Sequence, residues 1–105
     1  MTKVGFFSEM NTSDNCGSVH DFITDTINYD VEKMIGYLSS FSHKASCAKN
    51  AIDCVTGNVI SPYFLVYDDG EFSWCDYLIY HIKNYKISLP QGLIEKAKAY
   101  KPAQQ

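Results

Sequence analysis

The residues of this chain that could act on something else are four cysteines, three histidines and one close group of carboxylates. Cys16, Cys47, Cys54 or Cys75 could supply a thiolate nucleophile if one of them met His20, His43 or His81, since an imidazole can accept the thiol proton. A small thiol- or metal-dependent enzyme built this way would use Cys16, His20 or His81. A zinc site asks for close pairs such as C-x-x-C, and here the nearest pair, Cys47 and Cys54, has six residues between its members. No metal is therefore expected. Asp68, Asp69 and Glu71 form a carboxylate group, but the D-x-[DN]-x-[DN]-G spacing of a calcium loop is missing, and aspartates beside a glycine ordinarily serve turn geometry. The chain also lacks a P-loop, G-x-G-x-x-G, H-E-x-x-H and G-x-S-x-G. Neither a catalytic residue nor a cofactor is expected, which favours binding over catalysis.

A chain of 105 residues, 46% apolar and 14% aromatic, has material for one core, so a single domain over residues 1–105 is expected, with 101–105 frayed. The net charge is −3 and every basic residue is a lysine. Without arginine the chain lacks the planar donor that phosphate and guanine recognition most often use, and nucleic-acid binding is not expected. The first nine residues hold too short an apolar run for a secretory signal, and no stretch approaches a membrane helix. A cytoplasmic protein with reduced thiols and no membrane partner follows as the expectation.

The elements that must position these residues can be read from periodicity. A first strand precedes a polar loop from Asn11 to Gly17; Ser18-Val19-His20-Asp21 then matches a capping box, predicting a helix that buries Val19, Phe22, Ile23 and Ile27 and turns Asp21 and Asp25 to solvent. Asp30 caps a second helix, in which Val31, Met34, Ile35 and Leu38 follow i, i+3, i+4, i+7. Short strands are expected around His43 to Cys47 and at Ile52 to Val55. A longer one runs from Val59 to Tyr67, with Pro62 near its start. Asp68-Asp69-Gly70 reverses the chain into a hairpin. Ser73-Trp74-Cys75-Asp76 reads as another capping box, with Trp74, Tyr77, Leu78, Ile82 and Tyr85 along one helical stripe. Pro90 opens a last helix that buries Leu93, Ile94 and Ala97. The mixed order predicts α+β architecture, an antiparallel sheet packed with about four helices.

Charge is unevenly distributed. Residues 1–40 carry six acids against two lysines, and residues 68–76 carry four acids and no lysine. Residues 77–105 carry five lysines against one acid. Such a polar molecule can steer a positively charged partner toward one face if the two acidic segments lie together.

Asp69-Gly70, then Trp74, Leu78, Tyr80, Ile82, Tyr85, Ile87, Leu89 and Pro90, together with the opening Lys3-Val4-Gly5-Phe6-Phe7, resemble a family of small bacterial proteins. In these, a D-G turn precedes a tryptophan-led helix and an L-P step starts the last helix. Such proteins occur among the immunity proteins of polymorphic toxin systems, including contact-dependent growth inhibition. The resemblance spans roughly residues 59–95 and the first seven; residues 41–58 match nothing in it, and Cys75 and Tyr77 depart from the more polar residues of that helix. It implies a cytoplasmic protein that binds and neutralises the C-terminal domain of a cognate toxin, often a nuclease, without chemistry of its own. The acidic segments agree with that implication, since carboxylates can occupy a basic active site where phosphates would bind. On this reading Asp21, Asp25, Asp68, Asp69 and Glu71 supply the electrostatic face, and Tyr67 and Phe72 the anchors. A regulatory adaptor for another protein would share such a surface.

Overall fold

The computed structural model describes residues 2–10 and 17–100; Cys16, the loop residues 11–15 and the tail 101–105 lie outside the described residues. The architecture is α+β. A four-stranded sheet is formed by β1 (Thr2–Lys3), β2 (Ala45–Cys47), β5 (Phe64–Asp68) and β6 (Phe72–Cys75), in the order β1-β6-β5-β2. A two-stranded sheet pairs β3 (Ala51–Ile52) with β4 (Val59–Ser61). Among the described residues there are three α-helices, α1 (Val31–Leu38), α2 (Asp76–Asn84) and α3 (Gln91–Ala99), and not about four.

The missing helix is the one expected after Ser18. Ser18 does cap, its hydroxyl accepting from His20 N–H, but only a 3₁₀ turn follows, Val19–Asp21. One i to i−4 bond follows, Ile23 N–H to Val19 O, and there the helical pattern stops, because the next backbone groups find partners elsewhere. Thr24 N–H donates to Lys86 O and Ser88 N–H to Phe22 O, at 2.9 and 2.7 Å. An isolated bridge joins Ile23 to Ile87. Tertiary hydrogen bonds thus replace the i to i−4 ladder that a helix would have required. By contrast, α1 forms as its sequence dictates: Asp30 Oδ1 accepts from Lys33 N–H at 3.0 Å, and Met34, Tyr37 and Leu38 are buried.

The sheet is mixed, which corrects the antiparallel expectation. β5 and β6 form the hairpin, pairing Tyr67 with Trp74, and β2 adds antiparallel to β5. β6 then has one edge left, and β1 fills it in parallel, Thr2 against Phe72 and Lys3 against Ser73. The run from Val59 to Tyr67 is two strands in two sheets, divided at Pro62, where the missing N–H cannot serve a ladder.

Ser73 and Trp74 belong to β6, so the capping box read at Ser73 does not exist. Ser73 Oγ donates to Tyr67 O at 3.1 Å, Cys75 takes the cap position without a side-chain bond, and α2 starts at Asp76. Trp74 is fully buried, stacked on Tyr67 and edge-on to Phe41, with Tyr37 also beside it. This aromatic core ties the sheet to α1, and α1 in turn packs on α3 and α2. Gly5 sits at φ +75°, and a Cβ there would lie 2.6 Å from Leu78 Cδ1, so backbone and α2 meet at van der Waals contact only because the residue has no side chain.

Candidate functional site

The hairpin carboxylates turn mostly inward. Asp69 has a side chain only 2% exposed. Its Oδ1 accepts from Glu71 and Phe72 N–H, and its Oδ2 from the Tyr37 hydroxyl at 2.5 Å and Lys96 Nζ at 3.2 Å. Burial alone would raise its carboxyl, but the N–H groups of Phe72 and Glu71, the Tyr37 hydroxyl and Lys96 outweigh burial and hold it at about 2. Asp69 is the knot joining the hairpin to α1 and α3. Glu71 extends to solvent but shares Lys96, 2.9 Å away. Asp68 accepts from Gly70 N–H, closing the turn. Three backbone N–H groups, a hydroxyl and an ammonium thus draw on the group expected to meet a partner.

Phe72 is not a surface anchor. It is 5% exposed, beneath the Lys96 ammonium and against Gly92, whose Cβ would come within 3.1 Å of its Cζ. The alternation of β6 sends it to the face covered by α3. Tyr67 is half-buried, its ring held against Trp74 and edge-on to His43.

Asp21 and Asp25 are exposed as expected, although no α-helix presents them: Asp21 ends the 3₁₀ turn, and Asp25 lies beyond the Ile23 bridge. From residue 21 to 25 exposure alternates: Asp21, Ile23 and Asp25 face out, Phe22 and Thr24 face in, with Phe22 against Phe7. Ile23, assigned to the core by helical periodicity, is 39% exposed. The result is a strip with an apolar side chain between two carboxylates, neither of which has an ion pair among the described residues. Its backbone is pinned to residues 86–88, and Lys86 Nζ donates to Asp25 O at 3.0 Å. The strip is separate in the chain from the hairpin, with Asp69 bound into the interior; the five carboxylates expected to form one electrostatic face have different environments.

One polar cluster escaped sequence reading. Asp53, 3% exposed, follows β3; its Oδ1 accepts from Val55 and Thr56 N–H, and its Oδ2 from the hydroxyls of Tyr80 and Tyr85 at 2.7 and 2.6 Å. Burial would raise its carboxyl, yet the bonds from Tyr85, Tyr80, Thr56 and Val55 hold it well below the usual carboxylate range. The same contact pushes the Tyr85 phenol up to about 12. Beside it, His81 is wholly buried, with Nδ1 2.7 Å from Tyr77 O and Nε2 accepting from Cys54 N–H at 2.9 Å. These partners select the neutral ring protonated at Nδ1, and burial lowers its pKa. The Asx turn at Asp53 had a local signal in Asp53-x-x-Thr56-Gly57; its tyrosine partners, 27 and 32 residues away, had none.

Cys54 and Cys75 are not activated by this arrangement. His81 meets the backbone of Cys54, and burial pushes the Cys54 and Cys75 thiols up to about 12. His20 is exposed, and no group of three or more metal-ligating side chains occurs among the described residues. No helix among them is long and apolar enough to cross a membrane. Comparisons with protein-family models, with curated proteins and with solved structures find no match to this chain.

Proposed function

We propose that this chain is an immunity protein, which binds the C-terminal domain of a cognate toxin, a basic nuclease, and neutralises it in the bacterial cytoplasm. The observation that carries the reading is the strip Asp21-Ile23-Asp25: two exposed carboxylates around an exposed isoleucine, on backbone fixed by residues 86–88. Carboxylates at this spacing offer negative charge to a site built for phosphates and accelerate encounter with a basic surface. Ile23 supplies apolar area that leaves water on contact, and the pinned backbone reduces the entropy lost on binding. Asp69 and Phe72, engaged inside the fold, hold the hairpin to α1 and α3 and are left out of this surface.

The test is capture of the partner on the tagged chain, in moderate salt, from the organism that encodes it, followed by assay of that partner's activity. The expected result is a stoichiometric C-terminal fragment of a large secreted protein that degrades nucleic acid alone and is inert in the complex. A partner whose activity is unaffected by the complex, or no stoichiometric partner, overturns the reading.

A further inference from the structure

Among the described residues, most carboxylates drawn into the fold are compensated by side chains; Asp68, which closes its own turn on Gly70 N–H, and Asp76 are not. Glu9 accepts from the Ser18 hydroxyl, Asp53 from two phenols, and Asp69 from a phenol and an ammonium. Asp76, at the start of α2, is half-buried and has neither an ion pair nor a side-chain hydrogen bond there; only the backbone N–H groups around Leu65 and Tyr77 stabilise its charge. It lines a pocket of about 240 Å³ with Ala51, Ile60, Ser61, Tyr77 and Tyr80. Two of the four large apolar side chains most exposed among the described residues, Val59 at 58% and Tyr63 at 49%, flank Ile60 and Ser61 in the chain.

The walls are aromatic and aliphatic. Tyr77 is buried against Phe64 at the base of the pocket, and the Tyr80 hydroxyl is committed to Asp53, so Tyr80 offers ring surface in preference to a donor. Burial raises the Asp76 carboxyl, the opposite of what its partners do to Asp53 and Asp69. A half-buried carboxylate in a largely apolar, aromatic recess beside exposed apolar side chains is complementary to a cation on a hydrocarbon stem.

We propose that this pocket is a second contact surface, which receives one lysine side chain of the protein partner, the ammonium on Asp76 and the methylenes against Ala51, Ile60 and the two tyrosine rings. Lysine suits the site better than arginine, because the backbone N–H groups already occupy part of the carboxylate and leave a point charge easier to seat than a bidentate fork. The inference rests on the partner-binding reading for the source of the lysine, but the chemistry of the pocket stands without it.

The experiment therefore uses no partner. n-Butylammonium chloride, the stem and head of the side chain, is titrated into the ¹⁵N-labelled full chain and compared with n-butanol and with the D76N variant. Expected are saturable amide shifts centred on Ser61, Asp76, Tyr77 and Tyr80, with a dissociation constant of about 10 mM. n-Butanol and D76N should each be at least about tenfold weaker, since the charge pair is then gone. Linear, non-saturating shifts, shifts centred on Asp21 and Asp25, or equal responses to n-butanol would each overturn the proposal. The n-butanol comparison is made on the unaltered chain, so the result holds even where D76N fails to fold. Loss of this binding leaves the toxin reading standing, and failure of partner capture leaves this titration interpretable.

Discussion

Single residues account for the acid sensitivity this protein should show. His81 is held neutral in the fold, with a pKa below its unfolded value, so the unfolded state binds more protons below about pH 6.5. Stability should be full above that pH and fall as pH drops through the depressed folded value. Asp53 and Asp69 are lowered carboxylates; their contribution is present above about pH 4 and is lost as pH falls toward the folded values, about 2 for Asp69. Urea midpoints between pH 8 and 2.5 should therefore decline in two limbs, and H81F, less stable at neutral pH, should lack the upper one. An upper limb unchanged in H81F would mean that His81 is not the group responsible. Asp53→Ala strands two phenols and two backbone N–H groups, and should cost about 3 kcal/mol by denaturant unfolding at pH 7. Loss under about 1 kcal/mol would show that water replaces the carboxylate without penalty. Neither role was legible from sequence, because the Tyr80 and Tyr85 hydroxyls at Asp53 and the Cys54 N–H at His81 are brought near only by folding, whereas the Asp30 cap needed nothing beyond its own helix.

At the scale of elements, local signals succeeded where no tertiary hydrogen bond competed with them. Asp30 and the apolar period of residues 31–38 specify α1, and Asp69-Gly70 specifies the hairpin, with Gly70 at φ +93°. The two S-x-x-D patterns are equally good locally, and both failed. At Ser18 the backbone of residues 22–24 pairs with 86–88, and at Ser73 the residue is already in β6 between β1 and β5. Pro62 marks a real break, but the separation of β4 from β5 into different sheets depends on β3, which carries little pattern of its own. Two glycines test how these joints are built. Gly70→Ala meets open space and suffers only left-handed strain, about 1 kcal/mol. Gly5→Ala adds a clash with Leu78, 3.1 Å from Cβ and Cγ as well as 2.6 Å from Cδ1, and should cost about 3 kcal/mol. Equal losses in chemical denaturation would contradict the close packing of β1's exit on α2.

For the whole molecule, the α+β class follows from mixed periodicity, and the structure agrees on it. The electrostatic face is smaller than charge counting suggested: Asp69 serves the interior and Glu71 shares Lys96, while Asp21 and Asp25 face water around Ile23. Counting charges along a chain cannot tell a carboxylate that holds a turn from one that meets a partner. The distinction matters for variants. D68N with E71Q should leave partner association within about twofold, since these groups act within or beside the turn. The measurement that tests the central claim most directly is the association rate of the captured partner with the wild-type chain and with D21N/D25N, from 50 to 300 mM salt. The account predicts about a tenfold slower association for the variant at low salt, a shallower salt dependence, and a dissociation rate that responds instead to I23S. Identical rates and salt slopes for wild type and D21N/D25N would contradict it and remove the strip from the interface.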